Sequence, residues 1–327
     1  MRKNYEEIVH VIKDRLLSIG VIQDVSENIA TSLAQTSLRG IDSHGINLLH
    51  HYINAFEGGR LNKNPNMKFV KSYFSTATLD ADHSCGIHAG IEAMNYAYRL
   101  ALAHGLGAVS VKNSSHFAAA SIYSLIAANR NMIGLSFTNA DSLMKNSGSD
   151  KIYFGTNPIC VAAPVEGEEP FCLDMATSKY NWNKLKNREK NGEYLPDDVA
   201  VGEFGEIVHD PKEAIGLLPI GDYKGFGLAM VVDILCALLS GMKTSNELSP
   251  MYDSPLDEKR DMGHFFVAID ISAFTDLTKF KSRLFDMFVD IRKSGSLVPG
   301  DPEKMRKKIR KDTGIPLLTE EWKNEFR

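Results

Sequence analysis

The chain has 327 residues, 43% hydrophobic and 24% charged, with a formal net charge of -4. A chain of that length can bury a core without a metal or disulfide staple. Its mild acidity leaves no basic footprint for nucleic acid or an anionic membrane, so small molecules are the expected partners.

Ile8, Val11, Ile12, Leu16 and Ile19 recur at helical spacing and predict a helix over residues 4–19. A second helix is expected from a cap at Ser26 to Leu38, ended by Gly40, and a third over about 46–57. Between them, Arg39-Gly-Ile-Asp-Ser-His-Gly45 is a polar loop flanked by glycines, where backbone can approach a ligand closely. After Pro65 the pattern alternates: strand 77–81, helix 88–104, strand 107–112, helix 117–130 and strand 133–138. Further strands are expected at 159–163, 170–174 and 264–271, with an apolar helix over 224–240. Such alternation argues for an α/β sheet. Residues 179–213 are charged and aperiodic and read as a long loop. Cys85, Cys160, Cys172 and Cys236 form no Cys-x-x-Cys pair and no zinc spacing with histidine, so reduced core thiols and no metal are expected. The charged start Met1–Glu7 is unlike a signal peptide, and no apolar run approaches the ~20 residues of a span, which predicts a cytoplasmic chain.

His116 should lie at the carboxyl end of a strand, where open α/β sheets bind ligands, and an imidazole there can take or return the proton of a substrate alcohol. A capping histidine fits the same position. Ser43-His44 offers a second acid/base group with an adjacent hydroxyl, but without a Gly-x-Ser-x-Gly elbow serine hydrolysis has little support. His50 and His51, on the next helix, read as structural or exposed. Asp222-Tyr-Lys-Gly-Phe-Gly-Leu228 places Lys224 and two glycines at a helix start, a plausible anion site or simply a tightly packed one. Asp174-Met-Ala-Thr-Ser178 suits a cofactor wall or an ordinary turn, and Leu297–Asp301 a turn before a helix near Pro302. No Gly-x-Gly-x-x-Gly follows a strand, so a dinucleotide would not be held in the Rossmann manner.

Taken in order, Arg39–Gly45, Asn113-Ser-Ser-His116, Gly155-Thr-Asn-Pro158, Asp174–Ser178, Lys224-Gly-Phe-Gly227 and Pro299-Gly300 resemble the second malate/L-lactate dehydrogenase family over nearly the whole chain. The resemblance implies a three-layer α/β/α fold with a mixed, non-Rossmann sheet and a helical region built from both chain ends. The corresponding divisions are 1–75 (helical), 76–220 (α/β, cofactor-binding) and 221–327 (return to the main domain with C-terminal helices). It implies a homodimer using NAD or NADP, NAD favoured, to move hydride between the nicotinamide and a small 2-hydroxy/2-keto acid or sugar-acid-like substrate. His44 and His116 would flank the reacting carbon, with one of the two handling the alcohol proton; Ser43 would orient its neighbour, and Lys184 completes the catalytic set. Substrate contacts would fall at Asn47, Leu48 and Thr156, and cofactor contacts at His116, Ala140, Asp174, Met175, Ala176, Lys224, Gly225, Gly300, Asp301 and Arg306. Two departures stand out. Leu48 replaces an arginine that many members aim at the substrate carboxylate, and leucine cannot make that contact. Asn183-Lys184 replaces the Gly-Lys of the alcohol dehydrogenases and the Gly-Asp of the imine reductases, and Lys184 favours carbonyl chemistry. A ketimine or diketo-acid reductase, or a non-catalytic cofactor-binding member, are the alternatives.

Overall fold

The computed structural model describes residues 1–320, 322 and 325. The N-terminal part holds α1 (Tyr5–Ser18), α2 (Gln23–Leu38) and α3 (Leu49–Glu57), the first opened by a capping box between Asn4 and Glu7. Next come β1 (Lys68–Tyr73), β2 (Thr76–Asp80), α4 (Gly86–His104), β3 (Leu106–Ser114), α5 (Ser121–Ala128), β4 (Met132–Thr138), β5 (Ile159–Ala163) and β6 (Phe171–Met175). The chain continues through α6 (Trp182–Asn191), α7 (Tyr223–Asp233), β7 (Met262–Asp270), α8 (Leu277–Lys293) and α9 (Asp301–Thr313).

The main sheet has seven strands in the order β1-β2-β3-β7-β4-β5-β6. β2 and β3 are parallel and the other neighbours antiparallel, which makes the sheet mixed, as expected. Strand β7 enters the middle from late in the chain, and alternation of its side chains builds two cores. Phe266 and Ala268 join Val109, Val111, Cys160 and Ala162 under α4 and α5. Phe265 faces the other way, with Phe137, Leu135 and Ile159, against Val232 and Cys236 of the α7 segment. Helices thus cover both faces of the sheet.

The helical region comes from both ends of the chain. Ile8, Ile12, Leu16, Val25, Ile29 and Leu33 of α1 and α2 pack with Leu49, Ile53 and Phe56 of α3 and with Ile315, Leu317 and Trp322 from the C-terminal end. Residues 2–3 pair antiparallel with 315–316, and the Trp322 indole donates to the Ile46 carbonyl at 3.0 Å. Cys85, Ile87 and Ala118 belong to the same core, which joins it to the start of α4 and to the His116 loop.

Several boundaries differ from expectation. α2 starts at Gln23 after an extended Ile22, and Ser26 is buried within it, so Ser26 is not the cap. The third helix is shorter, because 42–44 and 46–48 form separate single turns of 3-10 helix ahead of α3. The expected loop 179–213 contains α6, where the Asn181 side chain caps the backbone N–H of Lys184, and a strand of a small sheet formed by 144–145, 152–154, 200–201 and 216–217. Past Asp233, α7 continues as a π-helical stretch, 234–238. Residues 277–293, given no element above, form α8, whose Phe288 packs on Val165 and Val298.

Candidate active site

The Arg39–Gly45 loop is held from several sides. Gly40, at φ +82°, closes α2, and a side chain there would collide with Arg306. The Ile46 N–H donates to Ser37 Oγ at 2.9 Å, and Arg310 grips both Asp42 carboxylate oxygens at 2.6 and 2.8 Å. From the opposite side the Asn183 amide donates to the Ser43 carbonyl at 3.1 Å. This fixes the backbone beneath His44, whose Nδ1 meets the Ser43 hydroxyl at 2.9 Å.

His116 stands two residues past Ser114, the last residue of β3. His264 on β7 anchors this turn through Nε2 to Ser114 Oγ (2.8 Å) and Nδ1 to Thr138 Oγ1 (2.7 Å), and Phe117 stacks on it. Gly86 at the start of α4 sits against the Ser115 and His116 carbonyls, where any Cβ would collide. Tyr52 on α3 reaches across from the helical region, its hydroxyl 2.8 Å from His116 Nδ1.

These placements bring the His44 and His116 rings nearly parallel, with centroids 6.1 Å apart and planes 27° off. His51 stands edge-on to His116 at 6.4 Å, and Tyr252 edge-on to His51 at 5.4 Å. Burial pushes His44 and His51 down to about 4, helped at His51 by the nearby Arg60 and Arg260. His116 lies well below the usual histidine range, through burial first and then because a charge on its ring is disfavoured beside His44, His51, Arg260 and His264. All of these imidazoles are neutral near pH 7, ready to accept a proton or to donate a hydrogen bond.

A cavity of about 1060 Å³ opens beside His44, with His116 standing behind its wall against the His44 ring. Its walls include Ser43, His44, Thr156, Asp174, Met175, Ala176, Lys184, Gly300 and Arg306 among the residues expected from sequence. Asp174 accepts the Ser121 N–H at 2.8 Å, and burial raises its carboxyl above the usual carboxylate value. Gly300, at φ +96°, starts α9 at the cavity wall, with Pro302 and Glu303 of its first turn also on the lining. Arg39 lines the same wall, 4% exposed, with its Nε buried and unpartnered. Size, cationic walls and an orphaned donor fit an anionic dinucleotide.

Other expected residues lie elsewhere. Leu48 is 4% exposed and packs in the helical core, so it does not face the cavity. His116, Asn47, Ala140, Lys224, Gly225 and Asp301 are also off the lining, His116 one ring behind it against His44. Lys224 is exposed; Gly225 is packed against Ile220 and Thr177, one layer behind the wall. The Asp301 carboxylate is committed to Arg292 and Lys304 at the start of α9. Residues that the sequence reading did not assign to the site surround the pair from behind the lining: His51, read there as structural or exposed, and Tyr52 touch His116, Tyr252 touches His51, and Asn183 holds the Ser43 carbonyl. Arg260 is 2% exposed, ion-paired with Asp141 at 2.6 Å, and its Nε has no partner. A buried arginine next to neutral histidines is a signal only packing reveals.

A family model described as malate/L-lactate dehydrogenase matches residues 4–324. A malate dehydrogenase of Pyrococcus abyssi is 36% identical over 307 residues, 88% of this chain and 83% of that protein. A ureidoglycolate dehydrogenase (NAD(+)) of Escherichia coli O157:H7 is 31% identical over 87% of this chain and 81% of its own length. The crystal structure of malate dehydrogenase from Entamoeba histolytica superposes with a TM-score of 0.93 at 27% identity, covering 99% of this chain and 97% of that one.

Proposed function

The chain belongs to the malate/L-lactate dehydrogenase family, and on that premise we propose that it interconverts a small 2-hydroxy acid, or a sugar-acid-like relative, and its 2-keto form with a nicotinamide dinucleotide. The observation that carries this is the near-parallel His44–His116 pair, 6.1 Å apart, of which His44 lines the cavity of about 1060 Å³. When bound, the dinucleotide supplies the hydride acceptor or donor. The protein's part is to bind, orient and move one proton. Arg39, Asp174, Met175, Ala176, Gly300 and Arg306 would hold the dinucleotide, and Thr156 and Lys184 flank the reacting end. From behind the cavity lining, Arg260 is the cation whose field reaches both His51 and His116, and its buried, unpartnered Nε is the donor this reading assigns to the substrate carboxylate that Leu48 cannot meet.

NAD is the preferred cofactor in this reading. Each arginine on the cavity wall already faces a carboxylate: Arg39 with Glu169 at 3.5 Å, Arg306 with Glu303 at 3.7 Å and Arg310 with Asp42 at 2.6 Å. Those carboxylates oppose the extra negative charge of a 2′-phosphate. Four free, buried cysteines support a reducing, cytoplasmic compartment. The homodimer reading draws support from the exposed apolar face of residues 228–239, where Leu228, Val231, Ile234 and Leu238 recur at helical spacing, each more than a third exposed. Among the described residues no helix is long and apolar enough to cross a membrane.

The test is single-turnover oxidation of bound NADH by a panel of 2-keto acids, with and without ammonium, repeated with NADPH. Turnover of a keto acid without ammonium, lost in His44→Ala and His116→Ala, is the expected result. Near-normal chemistry in both variants would sink the assignment, and a requirement for ammonium would move it to imine reduction.

A further inference from the structure

One nitrogen of His116 is addressed by two donors. Its Nδ1 lies 2.8 Å from the Tyr52 hydroxyl and 3.4 Å from the backbone N–H of Ala118. A backbone amide can only donate, so Nδ1 must offer its lone pair, and the single proton of the neutral imidazole then sits on Nε2. The arrangement is built in. Ala118 turns its N–H back onto the ring from φ +61°, a left-handed conformation that is strained for a non-glycine residue. Tyr52 is 1% exposed, and burial keeps its hydroxyl protonated far above the usual tyrosine range.

His44 is held differently. Its Nδ1 meets the Ser43 hydroxyl, which can accept as well as donate, so a tautomer with a bare Nε2 is open to it. We propose that Tyr52 and the Ala118 N–H lock neutral His116 as an Nε2–H donor, so that His116 hydrogen-bonds the substrate oxygen while His44 takes the hydroxyl proton. The assignment rests on reading this pair as the hydride-transfer site. In the oxidative direction the substrate O–H bond breaks, its proton passing to His44 Nε2. The carbinol C–H leaves as hydride to the nicotinamide, and the C=O bond forms. His116 keeps its own proton throughout and stabilises the developing negative charge on oxygen. Ser43 accepts from the Nδ1–H of the imidazolium formed at His44. Tyr52 is then a positioning residue, acting through His116.

Two measurements test this. The first is long-range proton–nitrogen correlation on the full chain labelled with 15N-histidine, with the His116 signals identified by their loss in His116→Gln. An unprotonated Nδ1 and protonated Nε2 are expected at His116, with mixed tautomers in Tyr52→Phe; an Nδ1–H form in the unsubstituted protein overturns the lock. The second is the pH dependence of kcat/KM for hydroxy-acid oxidation. Glutamine at 116 keeps an N–H donor but cannot take a proton. His116→Gln should therefore retain the rise with pH and lose about 10–100-fold in kcat, whereas His44→Gln should lose the rise and about 10²–10⁴-fold. The reverse pattern overturns the division of roles. Because the tautomer is read without turnover, an absence of oxidoreductase activity would strike the function proposed above and leave the lock decided on its own.

Discussion

The Asn183 amide donates a hydrogen bond of 3.1 Å to the carbonyl oxygen of Ser43, tying α6 to the loop that carries His44. Both partners adjoin the cavity wall, through Lys184 on one side and Ser43 and His44 on the other. Removing this tie in Asn183→Ala releases the backbone under His44 and its Ser43 partner. A net hydrogen bond contributes about 0.5–1.5 kcal/mol, so kcat/KM should fall by about 3–10-fold with little change in thermal midpoint. Steady-state kinetics beside a melting curve checks it, and Asn183→Gln, which keeps an amide, should recover part of the loss.

Acid should weaken the fold through its buried histidines. His44 and His51 lie at about 4 and His264 at about 3, all below the ordinary 6.5. The unfolded chain therefore takes up protons that the folded chain refuses, so stability is greatest above pH 6.5 and declines as pH falls from there towards 4. At pH 5 each such histidine should cost about 2 kcal/mol relative to pH 7.5. Urea unfolding at the two pH values measures the slope. His51→Gln, which cannot titrate, should make it shallower; an unchanged slope would show that His51 does not contribute.

Arg260 and Asp141 form a buried ion pair, with side chains 2% and 14% exposed. Truncating Arg260 to alanine strands the Asp141 carboxylate and should cost about 3–5 kcal/mol of stability. Arg260→Lys keeps the charge but not the planar fork. Its expected signature is a KM for 2-keto acids raised about tenfold or more, with the cofactor Kd unchanged. Equal KM values in the two proteins would remove Arg260 from the substrate site.

Leu48 should behave as a core residue. Leu48→Ala is expected to cost about 2–4 kcal/mol through the cavity it leaves, while KM for substrate stays within about twofold, since the side chain packs on the helical core and off the cavity lining. Denaturant midpoints and KM measured on the same preparation separate these effects. A large change in KM at unchanged stability would return Leu48 to the substrate site.

The legible parts of the site were those with local signatures. The Arg39–Gly45 loop shows its polarity and glycines in sequence, and His116 its strand-to-helix position, so both histidines were visible before their meeting was. α6 was hidden because its core-facing side is short: Leu185 is its one fully buried residue, and the start depends on the Asn181 cap. The contact of His51 with His116 was hidden because nothing in the run His50-His51-Tyr52 says which side of the helix meets another loop.

The sequence by itself determined the α/β class, the N-terminal helices and the residues able to carry a proton, because periodicity, glycine positions and side-chain chemistry are properties of short stretches; the mixed sheet and the helical region shared by both chain ends came from the ordered family motifs. Only the tertiary structure decided how those groups act. Tyr52 on α3 and the Ala118 N–H converge on one nitrogen of His116, Asn183 crosses to Ser43, and Arg260 arrives on the end of a loop far along the chain. Protonation state and tautomer follow from burial and from the number of donors around a ring. Those are set by packing among segments distant in sequence, which no local pattern encodes.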